Sequence, residues 1–364
     1  MDEVIAEEIR QRAAGSPFAL ATIVSSRGNT PRPRGTSMLL TADGAVRGAV
    51  SAGCVDADVR GHAAQVLADG EPALVSYGFT PDESFAVGLS CGGGVDVFIQ
   101  RVEPATDLVF RAVLDAVQAC RPVAHARVVR GPRGMLARSM AIGENARRVG
   151  GLGEPHLERR IEAVGRRLLV NGGNDLLSDR HVEVFVQAHR PPRRLLLCGG
   201  GDITLALATL GTQLGYRVTV CDPRADVVSA ERWPSGVDLV IDWPHRYLDQ
   251  VGVDGDTVVC SLTHDPKFEI PLLTRALRLP AAYVGALGSR GTNRRRLRAL
   301  TEAGLSAAEL YRLYAPIGLD LGGRRPEETA LSIMAEIVAV ANGGSGASLN
   351  ARRGPIHARM ARSS

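Results

Sequence analysis

With 364 residues, 45% hydrophobic and 23% charged, the chain has the make-up of an ordinary soluble globular protein with room for two or three domains. A formal net charge of +4 without aromatic-interleaved basic clusters argues against nucleic-acid binding, and no uninterrupted apolar run offers a membrane span. The opening Met-Asp-Glu-Val-Ile-Ala-Glu-Glu is acidic where a secretion signal is basic, so a cytoplasmic location is expected; six cysteines without a CxxC pair give neither a disulfide framework nor a zinc site.

In chain order, residues 1 to about 16 predict a helix and Phe18 to Val24 a strand. Ser25 to Gly35 is too rich in glycine, proline and arginine to be regular. Strands resume at Met38 to Leu40 and Val46 to Val50, and Ser51 to Val59 is a glycine turn entering a helix that runs toward Leu67. That reading sets Cys54 in the first turn of the helix, where the dipole favours a thiolate. A second glycine loop, Gly88 to Gly94, surrounds Cys91 with backbone N–H groups suited to a thiolate or an anion. A buried structural cysteine is the plainer alternative for Cys54.

The front of the chain also carries an internal repeat. Phe18 to Gly28 resembles Val123 to Arg133, Gly53 to Val59 aligns loosely with Gly153 to Arg159, and Val95 to Gln100 parallels Val182 to Gln187. The second copy has no cysteine at either matching place, as if one copy kept the chemistry and the other the scaffold. An N-terminal domain over 1–190, with halves of about 1–105 and 106–190, is therefore expected, with Pro191-Pro192 as the linker.

Leu195 to Asp222 then reads as one βαβ unit: the strand Leu195 to Cys198, the turn Gly199, Gly200 and Gly201, an alanine-rich helix, and a second strand ending in Asp222. Gly199 permits the tight turn, Gly201 admits a phosphate to the backbone, and the helix N-terminus favours an anion. Asp222 stands where a carboxylate reaches ribose hydroxyls, so NAD(P) or another nucleotide is a candidate ligand. Thr204 replaces the third glycine of the pattern, leaving Ala206 and Ala208 to allow close packing. A turn that serves packing alone is the plain alternative.

Strands follow at Val237 to Ile241, Thr257 to Leu262 and Ala281 to Gly285. The second ends in Thr263-His264-Asp265-Pro266, at the carboxyl end where such sheets bind ligands, which makes His264 a candidate polar contact. Gly288-Ser289-Arg290 leads into an arginine-rich helix, and Pro326 to Val338 is an amphipathic helix with proline at its start. Cys198, Cys221 and Cys260 lie in apolar runs and read as inert core residues. The fold class expected is α/β: an N-terminal α+β domain built from the repeat, then a Rossmann-like parallel-sheet domain over 193–342, and a disordered basic tail over 343–364.

Taken together, Thr30 to Gly35 with Met38, Gly53-Cys54-Val55-Asp56, Gly88 to Gly92, the glycine turn with Cys221-Asp222-Pro223-Arg224, Thr263-His264, Tyr283 to Arg290, Pro316 to Asp320, and Pro326 to Ala330 through Ala335-Glu336-Ile337 resemble the XdhC/CoxI family. These are accessory proteins of molybdenum-containing hydroxylases such as xanthine dehydrogenase and carbon monoxide dehydrogenase. The resemblance implies a chaperone that binds molybdenum cofactor (molybdopterin in mono- or dinucleotide form), shields it during sulfuration and inserts it into the hydroxylase. It implies two partners, a cysteine desulfurase and the large subunit of the hydroxylase, with a homodimer as a further expectation. On this reading a thiolate of Cys54 or Cys91 holds the metal. Gly199 to Gly201 with Arg32, Arg34 and Arg290 hold the phosphate end. Two other readings stand beside it: an NAD(P)- or FAD-dependent oxidoreductase, and a non-catalytic nucleotide-binding assembly module.

Overall fold

The computed structural model of the chain describes residues 3–28, 30, 32–78, 93–144, 147–228 and 230–353. Its contacts fall into two units, residues 1–191 and 192–364.

The first unit contains two successive runs of the same kind. Helix α1 (Glu3–Ala14), strands β1 (Phe18–Arg27), β2 (Ser37–Thr41) and β3 (Val46–Gly48), helix α2 (Asp56–Asp69), and strands β4 (Ala73–Tyr77) and β5 (Gly94–Val102) make the first. Helix α3 (Leu108–Gln118), strands β6 (Val123–Arg130), β7 (Ser139–Gly143) and β8 (Arg148–Gly150), helix α4 (Pro155–Asn171), and strands β9 (Asn174–Asp179) and β10 (Val182–His189) make the second. Each run builds a five-stranded antiparallel sheet, in the orders β3-β2-β1-β5-β4 and β8-β7-β6-β10-β9. The two orders are identical position for position, which is the duplication read from the sequence.

Burial on both faces explains the apolar runs of these strands. In β1, Ala19, Ala21 and Ile23 pack toward α2, while Phe18, Leu20 and Val24 face the opposite way. On that second face Val24 and Phe98 of the first sheet meet Val129 and Phe185 of the second. The residues in each pair are equivalents under the repeat, so the sheets join through matching side chains.

The repeat register set by pairing differs from the glycine-based alignment by two residues. Met38 pairs with Gly48 and Met140 with Gly150, both glycines left-handed at φ +73° and +79°. A Cβ on either would collide with the carbonyl oxygen of Ser37 or Ser139, so both positions demand glycine. From there Val50, Val55 and Val59 correspond to Leu152, Leu157 and Ile161, all buried. Asp56 thus matches Glu158, and the counterpart of Cys54 is His156. Buried apolar residues fix the alignment; Gly53 and Gly153 occupy different places in their turns.

The second unit runs β11 (Arg194–Cys198), α5 (Asp202–Gln213), β12 (Arg217–Cys221), β13 (Asp238–Val240), α6 (Pro244–Val251), β14 (Thr257–Ser261), α7 (Pro266–Ala276), β15 (Tyr283–Ala286), α8 (Arg290–Glu302), α9 (Ala307–Tyr311), β16 (Leu313–Tyr314) and α10 (Pro326–Asn342). Every strand pair is parallel and the order is β13-β12-β11-β14-β15-β16. Numbered within the unit this is 3-2-1-4-5-6, the Rossmann order, with its switch point between β11 and β14. Leu195 and Leu197 enter the core on one face, Leu196 and Cys198 that on the other. Close approach of α5 to the sheet comes from a residue outside the glycine pattern. A Cβ on Gly211 would lie 2.6 Å from Leu195 and 3.1 Å from Val218, while Thr204 is simply buried. No helix among the described residues is long and apolar enough to cross a membrane.

A buried ion pair holds the far side of this sheet. Arg296 of α8 contacts Glu269 of α7 at 2.6 Å with both side chains sealed from solvent, and it also donates to the Leu287 carbonyl, fixing the loop that carries Arg290. Replacing one member strands the other in a low-dielectric interior. Arg296→Met is therefore expected to lower unfolding stability by about 3–5 kcal/mol, and Arg296→Met with Glu269→Leu to recover most of it, as read from denaturant midpoints.

Candidate functional site

In the second unit, Gly199, Gly200, Gly201, Asp222, His264 and Arg290 all fall at the carboxyl ends of the parallel strands. Gly199 has φ +113°, and a Cβ there would come within 3.0 Å of the Leu262–Thr263 backbone, in the loop leaving the strand across the switch point. Only glycine satisfies both demands. Gly201 is the N-cap of α5 and faces open space, leaving the helix end accessible. Gly200 is different, because Val227 from the loop after β12 packs against it so closely that an added Cβ would sit 1.7 Å from Val227 Cγ1. Arg232 of the same loop donates to the Gly200 carbonyl at 3.3 Å and pairs with Asp202, the first residue of α5. The turn is thus overlaid by its own chain on one side and open at Gly201.

Asp222 is 2% exposed, and both of its oxygens are engaged by Arg224. The Arg224 N–H and Nε reach Oδ1 at 3.0 and 2.9 Å, and Nη2 reaches Oδ2 at 2.8 Å. The hydrogen bonds to Asp222 hold the guanidinium above its usual pKa. More than half of the Arg224 side chain remains exposed, so a fixed cation stands where a free carboxylate was expected. Such a group suits a phosphate better than a ribose hydroxyl. The role of Arg224 was readable only as the end of the Cys-Asp-Pro-Arg stretch; the two-residue fold-back onto Asp222 has no pattern of its own.

His264 is exposed in the loop after β14, one residue before Asp265. Asp265 caps α7 by accepting from the Lys267 N–H. Arg290 is exposed at the first residue of α8, whose N-cap is Ser289. Cys198, Cys221 and Cys260 are buried as expected. Burial pushes all three thiols well up, Cys221 to about 12, which leaves them protonated and unreactive.

In the first unit, Cys54 is exposed and in no disulfide. It lies before the helix, because α2 starts at Asp56 with Val55 as N-cap; the expected first-turn position is not observed. What fixes its turn is the Asp56 carboxylate folding back. Oδ1 accepts from the N–H groups of Val50 at 2.8 Å and Ser51 at 3.0 Å, and Oδ2 from Ser51 Oγ and the Gly53 N–H at 2.9 Å. Burial raises the Asp56 pKa, but these donors, Ser51 Oγ foremost, outweigh it and hold the carboxyl below its usual value. The carboxylate that tightens the turn was missed in the sequence, although acidic residues in the first turn are a visible helix-start signal.

The loop bearing Arg32 and Arg34 is anchored by the second half of the unit. Asn174 donates to the Arg34 carbonyl at 2.7 Å and Gln187 to the Gly35 carbonyl at 3.2 Å. Arg32 is exposed and Arg34 half-buried, and neither guanidinium forms an ion pair with a described residue. Cys91 lies outside the described residues. Of the proposed ligand set, then, six residues share one sheet edge in the second unit, and Arg32, Arg34 and Cys54 belong to the first.

Comparison with known proteins decides the lineage. Residues 195–337 match the model of the XdhC Rossmann domain, and residues 11–78 match that of the XdhC and CoxI family. The chain belongs to the XdhC/CoxI family. It is 28% identical over 327 residues to the molybdenum cofactor insertion chaperone PaoD of Escherichia coli, spanning 90% of this chain and 84% of that one. To a Bacillus subtilis protein named as a probable subunit of xanthine dehydrogenase it is 25% identical over 321 residues, 88% of this chain and 92% of the other. A solved structure described as a xanthine dehydrogenase from Bacillus halodurans superposes with a TM-score of 0.75 at 25% identity, over 96% of this XdhC/CoxI member and 98% of that chain.

Two outcomes test this geometry. Gly200→Ala is expected to cost about 1–3 kcal/mol of stability through overpacking against Val227, with Val227→Ala restoring part of it in thermal unfolding. The Asp56 carboxyl is held low in the folded state, so its contribution is present above the unfolded pKa of about 4 and is lost as pH falls through the folded value. Asp56→Asn should therefore flatten the fall in urea midpoint between about pH 5 and about pH 3; an unchanged profile would remove Asp56 from the account.

Proposed function

We propose that this chain carries molybdenum cofactor as cargo and that Cys54 is a sulfur ligand to molybdenum; taken by itself, the carboxyl edge of the parallel sheet in the second unit is a phosphate-binding edge. Cys54 carries the reading: of the described cysteines in the family motifs it alone stands exposed on a turn held by a carboxylate, while the three thiols of the second unit are sealed and protonated. A soft thiolate suits molybdenum, and exposed guanidinium groups at Arg224 and Arg290 with the open helix end at Gly201 suit a phosphate or pyrophosphate. The naming of one relative as a cofactor insertion chaperone points the same way. The cargo is shielded while a desulfurase supplies its terminal sulfur, and is then passed to the large subunit of a molybdenum hydroxylase.

The Rossmann strand order favours a second reading, in which the crevice takes a nicotinamide or flavin nucleotide in its own right. Engagement of Asp222 by Arg224 weighs against it, since the usual ribose acceptor is occupied. Anaerobic incubation of the full chain with released cofactor, followed by native mass spectrometry and metal analysis, separates the two. Wild type should take up close to one molybdenum per chain and Cys54→Ser at least tenfold less. Full retention in Cys54→Ser removes that cysteine as the ligand. No uptake by wild type, together with saturable fluorescence change on adding reduced nicotinamide, replaces the proposal with the second reading.

A further inference from the structure

Between the two halves of the first unit lies a cavity of about 100 Å³ that plays no part in the proposal above. It is many times the roughly 10–15 Å³ that one water needs. Helices α1 and α3 and equivalent strands of the repeat line it, and the matched strand positions have diverged in chemistry. Opposite Gln100 and Gln187 the two halves carry Leu20 and His125. One step along, the matched positions are Thr22 and Arg127, paired with Phe98 and Phe185. At the far end, Val102 in the first half becomes His189 in the second. On these strands the first half is largely apolar and the second basic, with Arg127 carrying the charge because burial holds the His125 imidazole well below its usual pKa; Glu8 and Asp107 add carboxylates from outside the strands.

The basic wall is buried and incompletely satisfied. Arg127 is 2% exposed and His125 9% exposed. Arg127 Nη2 donates to Thr22 Oγ1 at 3.4 Å, whereas its Nε and Nη1, His125 Nε2 and Gln100 Oε1 have no hydrogen-bond partner among the described residues. Burial draws the Arg127 pKa down to about 10, and the charges of Glu8 and Asp107, the carboxylates lining the cavity, offset that only in part. Asp107 is itself occupied in capping α3. A guanidinium removed from water with donors unmet is unfavourable, and solvent molecules in the cavity would hydrate it without neutralising it. A wall meant only for packing would keep the leucine, threonine and valine that the first half uses at the same positions.

We propose that this cavity binds a compact tetrahedral oxyanion of phosphate size, held by the Arg127 guanidinium and hydrogen-bonded by an N–H of the His125 imidazole. The second copy of the repeat is then a binding element in its own right. Free phosphate and the phosphate end of a small organic ester share the chemistry that Arg127 recognises.

The test is calorimetric titration of the full-length chain with inorganic phosphate and, separately, with glycerol 3-phosphate, on wild type, Arg127→Met and His125→Leu. Saturable binding of either anion by wild type, weakened at least tenfold in Arg127→Met and measurably in His125→Leu, supports the proposal; tighter binding of one names the source. Arg127→Met should be no less stable than wild type in anion-free buffer, because it removes a buried charge whose donors are unmet. Absence of saturable binding of either anion by wild type overturns the assignment. So does equal affinity in wild type and His125→Leu together with Arg127→Met, and if Arg127→Met fails to fold, equal affinity in His125→Leu alone does so.

Discussion

The second unit depends on one backbone constraint, the exit of β11 from the middle of the parallel sheet. That strand is buried on both faces, so its chain must turn away within one residue of Cys198 without meeting the loop leaving β14. Gly199 meets the constraint by combining a left-handed φ with the absence of a Cβ, at 3.0 Å from neighbouring backbone. Once the turn is made there, α5 starts at Asp202 and its N-terminus opens onto the switch point. Val227 and Arg232 can then close over Gly200 from the side. The open helix end at Gly201 follows from a packing requirement on β11, before any ligand is considered.

The first unit follows a different logic, that of duplication. Two runs with one strand order pack through matched residues such as Val24 with Val129 and Phe98 with Phe185, which fill the join with equivalents. Turns before α2 and α4 are both tied down by a carboxylate at the same repeat position, Asp56 or Glu158, accepting from backbone N–H groups. Shared architecture therefore reaches down to the hydrogen bonds of the helix entry. What differs is the display at the matched position: in one half a thiol at Cys54 in the turn before α2, in the other an imidazole at His156, already inside the first turn of α4.

Much of this was legible because it rests on local patterns. Continuous apolar runs placed β1, β11, β12 and β14 to within a few residues, since strands buried on both faces have no polar positions to blur their ends. The glycine turn, its helix and the duplication followed from spacing in the same way. Contacts made by single side chains across long sequence distances were not legible. Arg296 lies in a helix read only as arginine-rich, yet it is sealed against Glu269; Gly211 falls outside any glycine motif, yet sets the distance between α5 and the sheet. The first-turn position expected for Cys54 failed for a related reason, because the helix starts where the Asp56 carboxylate completes its bonds to the preceding turn.

The residues that carry the family resemblance divide by physical role. Tyr283, Gly318 and Glu336 come from three separate stretches, but the Tyr283 hydroxyl and the Gly318 N–H both donate to the Glu336 carboxylate. Gly285 leaves room for Ile317, whose Cδ1 would lie 2.4 Å from a Cβ there, and Gly318 does the same for Ser332. These stretches fasten β15, the turn after β16 and α10 to one another; their sequence signal reports architecture. Cys54 and Arg290 are exposed, and neither of them is needed to close the core, whereas Arg224 also pairs the buried Asp222 carboxylate. A chain could keep the first group and lose the second while folding identically. Resemblance along the whole sequence therefore speaks for the fold, whereas the cargo must be argued from the few side chains that the fold leaves facing water.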